Sequence, residues 1–198
     1  MKSFALFFSL ISLSSLSITQ IREGGCMPAA NFRLLISADQ IKERITQVAA
    51  QLDHDYADKE IILVMVMKGA VCIATDLIRE IKTPCTLEFV SASSYGSKTI
   101  AGQLTLHGLE KLNLKDKHVL LVDDIYDTGA TIQEIKKQLM LQNPASLKTL
   151  VLLLKNRERS NPAIPDYILF TIENEFVIGY GLDYNELYRG LPGIYVKQ

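Results

Sequence analysis

The sequence predicts an α/β protein, in which a mostly parallel, twisted sheet carries helices on both faces. Apolar runs long enough to be strands alternate with segments of helical periodicity, an order that favours parallel strands joined by helical crossovers. The apolar runs are also nearly unbroken, which is typical of strands buried on both faces. At 198 residues with 48% hydrophobic side chains, the chain is long enough for one sizeable domain of this kind.

The first predicted helix begins at a capping box, in which Ser37 and Gln40 precede apolar residues at helical spacing. The run "EIILVMVMKG" (60–69) then predicts a strand, and a helical period resumes over 70–81. The remaining strands are predicted at "CTLEFVSAS" (85–93), "HVLLVDD" (118–124), "LKTLVLLLK" (147–155), "PDYILFTI" (165–172) and "EFVIGYGL" (175–182), with a helix at about 131–141. Polar clusters follow several of these strands, so we expect the functional site at the carboxyl ends of the sheet.

Composition excludes several classes of protein. A formal charge of −1 argues against nucleic-acid and membrane-surface binding. The three cysteines are odd in number, and none has C-x-x-C spacing. Both a disulfide framework and a zinc site are therefore disfavoured, and a reducing, cytoplasmic location is expected.

The segment "VLLVDDIYDTGAT" (119–131) carries the strongest chemical signal. A buried strand ends in two acids, and the chain must then turn into a helix through Asp127-Thr128-Gly129-Ala130-Thr131. Backbone N–H groups at a helix N-terminus, hydroxyls and a close-packing glycine together make a phosphate cradle, although no Walker motif is present. Asp123 and Asp124 are placed to bind ribose hydroxyls or a hydrated Mg²⁺. The plainer alternative is a capped helix with solvated acids.

The same segment resembles the phosphoribosyl-diphosphate signature of the type I phosphoribosyltransferases. The segments "MKGA" (67–70), "SSYG" (93–96), "LLLKNRERS" (152–160) and "EFVIGYGLDYNELYRGLP" (175–192) resemble the hypoxanthine-guanine members, in the same order. Many members carry Glu where this chain has Asp123. The resemblance implies the type I fold with a small hood subdomain. It also implies a purine-salvage reaction in which a 6-oxopurine and phosphoribosyl diphosphate give the nucleoside monophosphate and pyrophosphate, with Mg²⁺.

Specific roles follow from the resemblance. Asp127 is expected to be the catalytic acid–base group near the purine N7, and Lys155 to donate to the 6-oxo group. Phosphoribosyl diphosphate is expected to contact Lys68, Gly69, Asp123, Asp124, Asp127, Thr128, Gly129, Ala130, Thr131 and Arg189. The purine is expected to contact Lys155, Phe176, Val177 and Asp183, the metal Asp123, Asp124 and Asp183, and a lid is expected to begin at Ser94 and Tyr95. A non-proline cis peptide is expected at Lys68-Gly69.

Each of these roles has a plainer alternative. Lys68-Gly69 could be an ordinary strand exit, Asp127 a helix cap, and Lys155 a solvated surface lysine. Phe176 could belong to the core, and Arg189 to a surface salt bridge.

At the level of function, hypoxanthine and guanine are the expected bases, used by a homodimer or homotetramer. Two alternatives are an RNA-binding regulator that keeps the same fold and a sibling transferase that prefers xanthine. The net charge of −1 gives the regulator little support.

Residues 1–26 are expected to lie outside the domain, which is predicted to span 27–198. The stretch "MKSFALFFSLISLSSLSITQ" resembles a short signal peptide, but no A-x-A-like cleavage site follows. Glu23-Gly24-Gly25 can instead be encoded by a purine-rich run of the kind that a bacterial ribosome binds, at a suitable distance before Met27. A translated leader is therefore the favoured interpretation, and a signal or anchor segment and a native extension are the alternatives.

A chain that starts at Met27 is accordingly expected to fold and to match the full chain in activity, because the predicted elements all follow that residue. Urea unfolding and a turnover assay on both chains check this expectation. A loss of several kcal/mol in the free energy of unfolding would mean that the first 26 residues pack on the core.

Overall fold

The structure is a computed structural model, and it describes residues 32–94, 104–157 and 164–198. In this part of the chain the main sheet has six strands: β2 (Ile61–Met67), β3 (Cys85–Ser94), β4 (Leu104–His107), β5 (His118–Tyr126), β6 (Ser146–Lys155) and β7 (Tyr167–Ile172). They lie in the order β4-β3-β2-β5-β6-β7, and every neighbouring pair except β3–β4 is parallel. The predicted α/β class with a mostly parallel sheet is confirmed.

Helices cover both faces of this sheet, as predicted. Helices α1 (Ala38–Asp55) and α2 (Val71–Glu80) pack on one face and α3 (Ala130–Met140) on the other, and a short 3-10 helix spans Leu109–Lys111. Alternation along β5 explains the two layers: Leu120 and Val122 join the core beneath α1 and α2, whereas Val119 and Leu121 join the core beneath α3. The capping box of α1 is present, with both reciprocal hydrogen bonds formed.

A second, smaller sheet brings the two ends of the described chain together. Strands β1 (Phe32–Ile36), β9 (Ile194–Lys197) and β8 (Val177–Ile178) form it in that order, with antiparallel pairing throughout. The prediction of a strand over 175–182 was wrong beyond β8. Gly179, Tyr180 and Gly181 all have positive φ, so the backbone leaves the extended region there.

Smaller boundary differences affect the site. Strand β2 ends at Met67, so Lys68 and Gly69 already lie beyond the sheet, and α3 begins at Ala130, one residue earlier than predicted. None of the helices in the described ranges combines the length and the apolar character that crossing a bilayer requires.

Candidate active site

A cavity of about 570 Å³ lies at the carboxyl ends of β2 and β5. Every residue expected to contact phosphoribosyl diphosphate lines it, together with Asp183: Lys68, Gly69, Asp123, Asp124, Asp127, Thr128, Gly129, Ala130, Thr131 and Arg189. These residues come from three separate parts of the chain: the end of β2, the end of β5 with the turn that follows it, and the segment after β8. The cavity therefore lies where the sequence predicts the site, at the carboxyl ends of the strands.

The turn between β5 and α3 has the geometry of an anion cradle. Gly129 has φ +82°, and a side chain there would collide with the hydroxyl of Tyr126, so glycine suits this position for two reasons. The Oγ1 of Thr128 accepts a hydrogen bond from the backbone N–H of Ala130 at 3.3 Å. The free N–H groups of a helix N-terminus attract phosphate through hydrogen bonding and through the helix dipole.

Two adjacent carboxyl groups form the floor of the cavity. Asp123 is only 6% exposed, and its Oδ1 accepts a hydrogen bond from the backbone N–H of Asp124 at 2.9 Å. Burial raises the pKa of both carboxyl groups, and the mutual repulsion of the two charges raises the pKa of Asp123 further. The Asp124 carboxylate also lies directly against Gly69, where any side chain would displace it.

An Asp123→Asn variant is expected to be more stable than the wild type in the absence of ligands, by about 1–3 kcal/mol at neutral pH, because it removes a buried, unpaired charge. Because folding raises the pKa of this carboxyl group, the folded protein loses stability as the pH rises above the pKa of the group in the unfolded chain, near 3.8. The gain should therefore be small at pH 4 and grow toward neutral pH. Urea unfolding at several pH values, without divalent cations, measures it.

The matched control for this variant is Glu60→Gln, which removes the same charge at an exposed position at the amino end of β2. It should leave the free energy of unfolding nearly unchanged at every pH. An equal gain for Asp123→Asn at pH 4 and pH 7.5 would mean that packing, rather than charge, causes the effect.

The proposed acid–base group lies between two cations. One carboxylate oxygen of Asp127 is 3.3 Å from Lys155 Nζ, and the other is 2.6 Å from Arg157 Nη1. Partial burial by itself would raise the pKa of Asp127, but the hydrogen bonds and charges of Arg157 and Lys155 outweigh it and lower the pKa. The carboxylate is therefore ionised at neutral pH and able to accept a proton.

A second cluster of charges lies across the cavity. The Nη2 of Arg189 is 2.8 Å from Asp183 Oδ1, and its Nη1 donates to the Gly181 carbonyl at 2.7 Å. The Oε2 of Glu186 accepts from both Arg189 Nη2 and Lys68 Nζ. Arg189 and Lys68, both expected to contact pyrophosphate, thus face the same part of the cavity.

The expected cis peptide is present but displaced by one bond. It joins Met67 to Lys68 and not Lys68 to Gly69.

The remaining predicted residues are placed differently. The side chain of Val177 is buried in the small sheet, and Phe176 is 47% exposed, with its ring edge-on to Tyr184 at 5.7 Å. Neither is among the described residues that line the cavity. The backbone of Ser94 ends β3, whereas Tyr95 and the rest of the expected lid, through residue 103, lie outside the described residues.

Sequence reasoning missed two residues of the site. Arg157 and Glu186 both lie in segments that resemble the family, "LLLKNRERS" and "LDYNELYRG", but neither was singled out. Each makes an ion pair with a residue distant in sequence, 30 positions away for Arg157–Asp127 and 118 for Glu186–Lys68. Their charge alone was the available signal, and charged residues in loops are usually solvated.

Known proteins show the same domain. The phosphoribosyl transferase domain family matches residues 37–185. The chain is 40% identical over 163 residues to a hypoxanthine-guanine phosphoribosyltransferase of Streptococcus pneumoniae, covering 82% of this chain and 91% of that protein. It is 37% identical to a hypoxanthine-guanine-xanthine phosphoribosyltransferase of Tritrichomonas foetus, covering 82% of this chain and 89% of that protein.

Solved structures agree with this assignment. A Trypanosoma cruzi hypoxanthine phosphoribosyl transferase superposes with a TM-score of 0.78 at 36% identity, covering 84% of this chain and 91% of that one. A Bacillus anthracis hypoxanthine-guanine phosphoribosyltransferase gives a TM-score of 0.73 at 36% identity, covering 84% and 99%. The chain therefore belongs to the phosphoribosyltransferase family, among its hypoxanthine-guanine members.

Proposed function

We propose that this enzyme transfers the 5-phosphoribosyl group from phosphoribosyl diphosphate to hypoxanthine and guanine, giving IMP or GMP and pyrophosphate. One observation carries the proposal. A phosphate cradle, an acid pair and two cations line a single cavity, and Lys155, which is not among the lining residues, lies beside the proposed acid–base carboxylate. A ribose with a phosphate at each end needs these groups, and the lysine supplies the donor that a 6-oxopurine requires.

The proposed chemistry is displacement of pyrophosphate at the anomeric carbon of ribose, with inversion, through an oxocarbenium-like state. The turn 127–131 holds the 5-phosphate, and Lys68 and Arg189 face the pyrophosphate. The carboxylate of Asp127 accepts a proton from the incoming base at N7, while Lys155 donates a hydrogen bond to the 6-oxo group. The expected lid from Ser94 would exclude water from the reacting carbon.

The acidic residues fit a magnesium ion. Asp123 and Asp124 supply hard carboxylate oxygens at the cavity floor, and the burial that raises the pKa of Asp123 would be offset by a divalent cation. Within the described residues, no group of three or more His, Cys, Asp or Glu side chains could hold a metal ion. The two adjacent carboxylates suit Mg²⁺, which is commonly bound through one or two carboxylates together with substrate phosphates. Bound there, the ion would neutralise charge developing on the leaving pyrophosphate.

The small sheet is our candidate for the hood that covers the base. Its strand β8 contains Val177, whose backbone would face the purine edge. Phe176, the proposed stacking ring, comes directly before that strand. Phe176 is 47% exposed, so a ligand could reach its side chain. Asp183 would contact the base pocket from the same segment. We also propose a cytoplasmic homodimer or homotetramer, and sedimentation equilibrium would establish the assembly.

The decisive experiment is a product-formation assay with phosphoribosyl diphosphate, Mg²⁺ and a panel of bases. Nucleotide formation from hypoxanthine and guanine is expected. Xanthine belongs in the panel because one relative is named for its use of that base. Formation of nucleotide from xanthine alone would replace the proposed substrates, and no nucleotide from any base would refute the proposed reaction.

A further inference from the structure

One carboxylate holds both of the cations assigned to pyrophosphate. The Oε2 of Glu186 is 3.0 Å from Lys68 Nζ and 3.3 Å from Arg189 Nη2. A single oxygen atom thus bridges two positive groups that come from separate segments of the chain, and both groups line the cavity. These are the contacts that a pyrophosphate oxygen would make.

The backbone at Glu186 has a conformation that glutamate rarely adopts. Tyr184 and Leu187 exchange backbone hydrogen bonds at 3.1 Å, so residues 185 and 186 form a two-residue turn. Asn185 has φ +53° and Glu186 φ +64°, the left-handed region that such turns require and that glycine and asparagine adopt most readily. A glutamate there is disfavoured unless its side chain makes compensating contacts, and strained positions of this kind cluster at functional sites.

The side chains of Arg189 and Lys68 differ in how tightly their surroundings hold them. The Arg189 side chain is 23% exposed and is also held by Asp183 and by the Gly181 carbonyl. The side chains of Lys68 and Glu186 are 62% and 64% exposed, so either can rotate without disturbing the core. Glu186 is therefore free to leave when an anion arrives, while Arg189 stays in place to bind it.

Resting on the proposed function, we propose that Glu186 is a positioning residue that competes with pyrophosphate for Lys68 and Arg189. Before substrate binds, its carboxylate keeps the two cations facing the cavity. When pyrophosphate is the product, the same carboxylate returns to the cations and favours release. Glu186 thereby weakens the binding of the diphosphate group and speeds its departure.

The test compares inorganic pyrophosphate binding, with Mg²⁺, in the wild type and in Glu186→Gln by titration calorimetry. Loss of two exposed ion pairs should tighten pyrophosphate binding about three- to tenfold. The KM for phosphoribosyl diphosphate and the constant for product inhibition by pyrophosphate should fall in the same proportion. The KM for the base should stay the same. If Glu186 had a purely structural role, its replacement would change stability but would not tighten the binding of pyrophosphate and phosphoribosyl diphosphate selectively.

Two further variants complete the design. Glu186→Gly suits the positive φ of the turn, so it should fold at least as well as the wild type and show the same tightening. Glu60→Gln removes a carboxylate at the opposite end of β2 and should leave pyrophosphate binding unchanged. If the wild type makes nucleotide but both Glu186 variants bind pyrophosphate no more tightly than it does, this inference is wrong and the proposed function stands. A wild type that makes no nucleotide would overturn the proposed function instead.

Discussion

An Asp127→Asn variant is expected to turn over about 10²- to 10⁴-fold more slowly than the wild type, the usual contribution of a general base. Asparagine keeps the shape of the side chain and can still accept a hydrogen bond from Lys155 or Arg157. It cannot take a proton from the purine. Single-turnover and steady-state measurements with hypoxanthine check the expectation.

Two controls separate this loss from unfolding or lost substrate binding. The Asp127 carboxylate is 38% exposed, so its ion pairs should contribute little to stability, and the thermal midpoint should change little. The affinity for phosphoribosyl diphosphate should also fall much less than turnover, because the cradle uses backbone groups of the turn. If the Asp127→Asn variant turns over within a few-fold of the wild type, Asp127 is only a helix cap and not the general base.

The pH dependence of the wild type follows from the same contacts. Because Arg157 and Lys155 lower the pKa of Asp127, the carboxylate stays ionised below its ordinary value of 3.8. A group whose pKa is lower in the folded protein stabilises the fold at any pH above its pKa in the unfolded chain. That contribution is lost only as the pH falls through its pKa in the folded protein. Asp127 should therefore limit neither activity nor stability between about pH 5 and 8.

The main sheet and the edge that carries the site were predictable because the signals are local. Strands β2, β5 and β6 are unbroken apolar runs, which predict burial on both faces without knowledge of their neighbours. The turn after β5 combines acids, hydroxyls and glycine within thirteen consecutive residues (119–131), so its chemistry can be deduced from the chain alone. The carboxyl ends of parallel strands then meet by geometry.

The small sheet and the ion pairs could not be deduced in this way. Strand β1 pairs with β9, so that Phe32 lies opposite Lys197 at the other end of the chain, and β8 has only two residues. The pair between Arg157 and Asp127 depends on β5 and β6 being neighbours in the sheet. The bridge from Glu186 to Lys68 depends on how the turn 185–186 packs near the end of β2. Strand order is set by the whole fold, and no local pattern encodes it.

Selectivity for the base is expected to be strong, with adenine at least about 10³-fold poorer than hypoxanthine in kcat/KM. Hypoxanthine and guanine present an acceptor at position 6, whereas adenine presents an amino donor. The ammonium group of Lys155 can only donate, and its side chain is 14% exposed, so water cannot readily take the missing partner's place. An unsatisfied buried donor costs about 1–3 kcal/mol, and more when it is charged.

Replacing this lysine tests the argument directly. Lys155→Met should narrow the gap between hypoxanthine and adenine, and it should do so mainly by lowering kcat/KM for hypoxanthine and guanine, because only they lose a hydrogen-bond partner. Lys115→Met, at an exposed position, is the matched control and should leave both values unchanged. If adenine proves as good a substrate as hypoxanthine for the unmutated enzyme, Lys155 does not face the 6-position. The contact of 3.3 Å with Asp127 would then be a structural ion pair, and the base pocket would have to be sought elsewhere along the cavity.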